Sequence, residues 1–390
     1  MRKLAKWLGR LVVLLVVVVI GVLIFVPGYI ENGRNVVAEH DPYPVSAEAA
    51  ELHKTLLIGD LHADPLLWKR DLTKRGNRGQ VDIPRLIEGN VALQVFTAVT
   101  KSPAGQNYDH NETDAMDNIT LLAVAQMWPM RTWGSLYERA VYQAEKLHGF
   151  EEKSDGKLHI IKSEADLDAL LERKLSGEAV VGGILGIEGA HPLEGNLDNL
   201  QGLQDAGYRL VALQHFFDNA LGGSLHGASN AGLTDFGRSV VQAVVDRGLI
   251  LDLAHSSPQV ARDVLEMTDI PLVVSHGGIH KACPVKRNFQ DDLMREIAAK
   301  GGVIGIGYWK DAICDDSPAG VAAAVKVGIE VVGEDHVALG SDFDGSVETT
   351  FDTSELAALT HAMLEAGLTP EQIRKVAGEN MLRVIRARLD

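Results

Sequence analysis

Eight short, near-continuous apolar runs alternate with longer helical patterns through most of this chain, and few architectures accommodate that alternation. The runs are Leu56–Asp64, Val91–Val99, Val180–Glu188, Tyr208–His215, Leu249–His255, Pro271–His276, Gly302–Tyr308 and His336–Asp342. Each has the length of a strand buried on both faces, where hydrophobicity is continuous rather than alternating. Helical patterns lie between most of them. Thr234–Arg247 is one, closed by Gly248; Ser163–Lys174 is another, with Ser163 and Asp166 spaced as a capping box. Eight strands with intervening helices predict an α/β chain folded as a (β/α)8 TIM barrel over residues 55–390. The long connection at about 100–178 is the main irregularity, an insertion expected to place extra helices over the barrel mouth.

Ahead of the barrel, Leu11–Ile30 carries no charge and is mostly Val, Leu and Ile. Twenty helical residues span about 30 Å, roughly one hydrocarbon core. Arg2, Lys3, Lys6 and Arg10 precede the run, and only Glu31 and Arg34 follow closely. Residues 1–30 therefore predict a basic stub and a single-pass transmembrane helix. The positive-inside rule puts the body on the periplasmic or extracellular side of the cell membrane. A cleaved signal peptide is the alternative, but the run is long for one and no A-x-A site stands near its end. Residues 31–54, polar and containing Gly33, Pro42 and Pro44, read as a linker.

The net charge is −16, and without residues 1–40 it is −19. An acidic body argues against a nucleic-acid partner. Two cysteines, Cys283 and Cys314, form neither a disulfide scaffold nor a zinc finger; a single bond between them and two free thiols both stay open.

Function is written at the ends of the runs. The first ends Asp60-Leu-His62-Ala-Asp64, and others end in Glu188, His215, His255, His276 and Asp342. Barrel enzymes build their active sites at the C-terminal ends of the strands, so these side chains should meet in one pocket. Imidazole and carboxylate suit zinc and related ions. His62 and Asp64, two residues apart on a strand, point the same way and can reach one ion. A carboxylate such as Glu188 can bridge two ions, and His255 and His276 can complete the second position. Two ions close together can share a hydroxide nucleophile. A lone histidine at a strand end is more often structural; six such positions in order are not explained that way. His53, His148, His159, His336 and His361 read as ordinary, and His191, His226 and His280, near the mouth, stay unassigned.

At these residues the chain resembles the zinc-dependent membrane (renal) dipeptidase family of the amidohydrolase superfamily, in a bacterial form. The resemblance runs through the Asp60–Asp64 stretch, VDIPRL (Val81–Leu86), GIEGAH (Gly186–His191), GLTDFGRSVV (Gly232–Val241), LDLAHSS (Leu251–Ser257), VVSH (Val273–His276), RNFQDD (Arg287–Asp292), GSDFDG (Gly340–Gly345) and GENMLRV (Gly378–Val384). It implies a metallodipeptidase with two Zn(2+) per subunit. His62 and Asp64 would hold one, His255 and His276 the other, and Glu188 both. It implies Asp342 as acid/base, His215 facing the substrate carbonyl, and Arg287 on the substrate's terminal carboxylate with Tyr308 assisting. GIGYWKDAI around Tyr308 and the loop HGGIHKACPVKRN before Arg287 depart from the family's usual segments. The implied substrates are small dipeptides, hydrolysed by a metal-bridging hydroxide. Another binuclear amidohydrolase, acting on N-acyl amino acids or lactams, and a non-catalytic membrane-tethered binding protein are the alternatives. A homodimer stays open.

Overall fold

The computed structural model describes residues 2–389; Met1 and Asp390, the outer ends of the expected anchor and barrel spans, lie outside the described residues. Among them, nine strands form one parallel sheet: β1 (Ile58–Ala63), β2 (Val91–Val99), β3 (Leu158–Ile160), β4 (Val181–Glu188), β5 (Tyr208–Ala212), β6 (Ile250–Asp252), β7 (Val273–Val274), β8 (Val303–Ile306) and β9 (Val337–Leu339). Eight follow the order β1-β2-β4-β5-β6-β7-β8-β9, and each lies inside one of the eight apolar runs. The extra strand, β3, pairs with the first residues of β4, Val181–Gly183, ahead of Leu185 where β5 begins its pairing.

The barrel seam joins β1 to β9 at their C-terminal ends. The Asp64 amide donates to the Phe343 carbonyl at 2.9 Å, and the Asp342 amide to the His62 carbonyl at 3.1 Å. Below, the Asp60 carboxylate accepts from the Ser341 amide at 2.8 Å and its hydroxyl at 2.6 Å. The first aspartate of the D-L-H-A-D stretch thus pins the seam. Inside the barrel, side chains from all eight strands other than β3, including Leu61, Val95, Ile184, Leu210, Ile250, Val273, Val303 and Ala338, pack into a single cluster. Met381, Val384 and Ile385 of the C-terminal helix Asn380–Arg386 join that cluster and close the end opposite the mouth. This filled interior leaves the strands' C-terminal ends as the place for a site.

The connection at 100–178 holds the helices Asn118–Ala125, Leu136–Lys153 and Glu164–Leu175 as well as β3. At the other terminus, one helix, Arg2–Asn32, is long and apolar enough to cross a membrane, although a signal sequence passes the same test. The segment that begins in the last turn of this helix is no free tether. Glu31 is 1% exposed and paired with Arg70 and Arg78. The Asn35 side chain accepts from the Ser346 amide at 2.9 Å, and Ala38 donates to Thr349 at 2.8 Å. Its last residues form a short helix, Ala47–Lys54, capped by Ser46. Polar composition suggests a linker because it does not reveal that charges on the barrel face await these partners.

Candidate metal and active site

His62, Asp64, Glu188, His215, His255, His276 and Asp342 all converge at the mouth, and all are buried. Nε2 of His62 lies 3.4 Å from Asp64, 3.4 Å from Glu188 and 3.7 Å from Asp342. Around the same glutamate stand His215 at 3.4 Å, His255 at 3.2 Å and His276 at 3.5 Å. Thr97, on the inner face of β2, supports the first pair: its hydroxyl is 2.5 Å from the Asp64 carboxylate and 3.4 Å from His62 Nε2.

The backbone is bent to achieve this. His255 (φ 62°) and Asp342 (φ 61°) both occupy the left-handed region. Each such residue costs about 1–3 kcal/mol and persists only where the surroundings impose it. Gly340 permits the approach of the Ser341–Asp342 corner, since a Cβ there would meet the Ser275 carbonyl oxygen at 1.8 Å.

Electrostatically the cluster is unbalanced. Burial pushes the Glu188 carboxyl well above its ordinary range, with the Asp64 charge adding to it, and pushes Asp342 up to about 7. Burial lowers His215 to about 4 and holds His255 and His276 well below the usual imidazole value. At His62 burial again opposes the charged form, but the Asp64 and Glu188 charges prevail, raising it to about 10. The three neutral imidazoles of His215, His255 and His276, beside carboxylates resisting ionisation, fit divalent cations. Such ions take this mixture of nitrogen and oxygen donors. The donor atoms fall into groups mutually within 4.8 Å: His62, Asp64 and Glu188; Glu188, His215 and His255; and His62, His276 and Asp342. Glu188 and His62 each belong to two of these groups.

Above the cluster opens a cavity of about 600 Å³. Its wall includes Glu188, His215, His255, Asp342 and Arg287, and on the far side Ser102, Tyr108 and Leu122 from the 100–178 connection. Arg287 is 3% exposed; it donates to the His276 carbonyl at 3.0 Å, and its Nε has no hydrogen-bond partner among the described residues. Its loop is fixed by a disulfide between Cys283 and Cys314, which ties the connection after β7 to the one after β8. The Asn288 amide strengthens this tie by donating to the carbonyls of Cys283 and Ala312 at 2.9 and 2.8 Å.

Tyr308 is not brought to the cavity. Its ring packs against Phe343 and Phe351, at 5.4 and 5.2 Å between centroids. The tyrosine that lines the cavity is Tyr108, whose hydroxyl accepts from the Trp309 indole at 2.9 Å. No spacing in the sequence signals it, because it arrives on a loop remote from every strand end. His226 is buried beside it, its Nδ1 3.0 Å from the Tyr108 carbonyl, and His191 sits edge-on to Phe217. Among the described residues, the His280 ring hydrogen-bonds only to Gln290.

A sequence profile of the membrane dipeptidase family, peptidase family M19, matches residues 46–389. The chain belongs to the membrane dipeptidase family. This M19 member is similar to the dipeptidase aclJ of Aspergillus oryzae, with 31% identity over 215 residues, and to the dipeptidase tcpJ of Claviceps purpurea, with 27% over 318 residues. Those alignments cover 53% and 79% of the chain; it spans about half of the first relative (51%) and 69% of the second. Among solved structures it resembles a Rhodobacter sphaeroides metallopeptidase liganded with a phosphinate mimic of the dipeptide L-Ala-D-Ala (TM-score 0.67, 24% identity, 86% of this chain and 99% of that one). It also resembles the probable dipeptidase PvdM of Pseudomonas aeruginosa (TM-score 0.71, 20% identity, 87% and 97%). The fold and family of this M19 member are those of metallodipeptidases.

Proposed function

We propose that this chain hydrolyses the amide bond of dipeptides, using two zinc ions per subunit. His62 and Asp64 would hold one ion, His255 and His276 the other, and Glu188 both. When bound, such a pair supplies Lewis acidity and an activated water at neutral pH. The remaining work falls to the chain. Asp342, with its carboxyl near neutrality, takes a proton at its Oδ and returns it to the leaving amine. His215 stands over the substrate carbonyl. Its Nδ1 donates to the Lys101 carbonyl at 3.1 Å, which turns Nε2 toward the cavity. Arg287 receives the substrate's terminal carboxylate, which a guanidinium can bind through two parallel hydrogen bonds.

The observation that carries the dipeptide reading is the placement of Arg287. It is a buried cation with an unused N–H, in the same cavity wall as Glu188 and Asp342. The wall formed by the 100–178 connection limits the substrate's length. The test is a panel: a dipeptide, its C-terminal amide, an N-acyl amino acid and a lactam, with the zinc-loaded full chain. Cleavage of the dipeptide well above the other three is the expected result. Equal cleavage of acid and amide would reduce the assignment to a broader amidohydrolase.

For location, the proposal is a single-pass anchor formed by the N-terminal helix, with the barrel outside the cytoplasm. The charge asymmetry around the helix supports it, and so does the Cys283–Cys314 disulfide, since such bonds persist in oxidising compartments.

A further inference from the structure

The uncharged stretch of the N-terminal helix ends at Ile30, and the next residue, Glu31, is already locked into the barrel by Arg70 and Arg78. No spacer separates the two. Ile30 and Arg34 both line the cavity that holds the candidate site, and Gly28 lies against the Arg78 guanidinium. If the helix spans a bilayer, the barrel face that carries the mouth sits directly on it.

That face is apolar where it meets the helix. Eight large hydrophobic side chains are exposed outside the N-terminal helix among the described residues, and six of them fall between Met116 and Trp133. They are Met116, Leu121, Val124, Met127, Met130 and Trp133, with Met130 77% exposed. The helix Asn118–Ala125 (NITLLAVA) is apolar on nearly every side. It buries Ile119, Leu122 and Ala123 and presents Leu121 and Val124 outward. A helix apolar all round is ordinarily covered on all sides, and it packs against both the N-terminal helix and the turn Met130–Trp133. Six exposed apolar side chains on a helix and a turn that touch each other are a concentration of the kind that marks an interaction site.

We propose that this rim, from Met116 to Trp133, docks into the headgroup–acyl boundary of the bilayer that the N-terminal helix spans, so that the active site opens at the membrane surface. The proposal rests on the anchor reading above. The occupant is lipid because the apolar helix that enters the bilayer emerges beside the patch with no intervening chain. Amphipathic surfaces with Trp and Leu on the buried side bind at this depth, and the exposed Arg34 at the junction suits anionic headgroups.

The test places a nitroxide on the oxidised full chain through Leu121→Cys, Met127→Cys or Met130→Cys, in vesicles of phosphatidylethanolamine and phosphatidylglycerol. Leu175→Cys is the aqueous control, exposed at the opposite end of the barrel just ahead of β4, and Val17→Cys reports on the anchor. The expected result is loss of collision with a water-soluble nickel chelate and gain of collision with oxygen at 121, 127 and 130, relative to 175. If those three labels stay as water-accessible as 175 while 17 reports lipid, the anchor stands and the docking is overturned. If 17 also reports water, the anchor reading fails and the proposal falls with it. Dipolar broadening between labels at 121 or 130, without increased oxygen collision, would assign the patch to a second copy of the chain and overturn the lipid assignment.

Discussion

Nε2 of His255 and Nε2 of His276 face each other at 2.9 Å, and each is within 3.5 Å of one Glu188 oxygen. Two imidazolium ions cannot occupy that geometry, and burial holds both rings neutral. One proton or one cation must lie between the lone pairs. The left-handed backbone at His255 is a further cost that the fold bears to build the site.

Asp342 should act on protons more than on metal. Asp342→Asn keeps the side chain's size and most of the bound metal, and should lower turnover by about 10²–10⁴-fold, the usual contribution of a general acid/base. Metal analysis alongside kcat separates the two roles. A near-wild-type rate would remove Asp342 from the mechanism.

Arg287→Ala should weaken cleavage of a dipeptide far more than cleavage of its amide. A charge-assisted hydrogen bond is worth about 1.5–3 kcal/mol. That corresponds to roughly 10- to 150-fold in kcat/KM. If the variant still discriminates acid from amide, another group reads the carboxylate. Tyr108 is then the candidate, in place of Tyr308, because Tyr108 lines the cavity.

Glu31 should matter to folding although it follows the anchor directly. Removing residues 1–30 leaves its pairs with Arg70 and Arg78 intact, so that protein should be soluble and active. Glu31→Ala in the same background leaves two arginines short of a counter-charge, and breaking a buried pair costs about 3–5 kcal/mol. Thermal melts of the two proteins measure the difference; equal melting temperatures would mean that the segment is a passive tether after all.

His53 should make stability pH-dependent in a window well away from the site. It is buried against Thr360, 2.8 Å from its hydroxyl, and burial lowers its pKa to about 4 from 6.5. The unfolded chain therefore binds a proton that the folded chain does not between those two values. Its contribution to stability is complete above pH 6.5 and is lost as pH falls toward 4. The whole effect is at most about 3 kcal/mol at 1.36 kcal/mol per pH unit. In His53→Gln, the drop in Tm between pH 7 and 5 should be smaller than in the wild type, and an unchanged drop would contradict the assignment.

Much of the barrel and its site is legible in the sequence. Buried parallel strands are continuously apolar, so each barrel strand stands out as a run, and the residue ending a run is the one presented at the mouth. That is why the sequence alone singles out His62, Glu188, His255, His276 and Asp342. β3 is not visible in this way, because Leu158–Ile160 is only three residues with a histidine in the middle. The role of Glu31 is hidden for a related reason: a polar segment looks the same whether it meets water or buried arginines. Tyr308 is suggested only by the family resemblance, and the chain turns it into the Phe343–Phe351 cluster. Its counterpart at the cavity, Tyr108, comes from a loop whose path no periodicity encodes. The disulfide lies between these cases, since two cysteines in loops on one face permit a bond without requiring it.

In the proposed mechanism Glu188 sits between two metal ions, and the chemistry depends on both. The most direct measurement is metal content and dipeptidase rate on the same samples of wild type and Glu188→Ala, with circular dichroism to establish that both are folded. The wild type should hold about two divalent ions. The folded variant should lose metal and activity together, because one side chain serves both positions. Full activity in metal-free wild-type protein, or a variant that keeps both its metal and its rate, would contradict the mechanism.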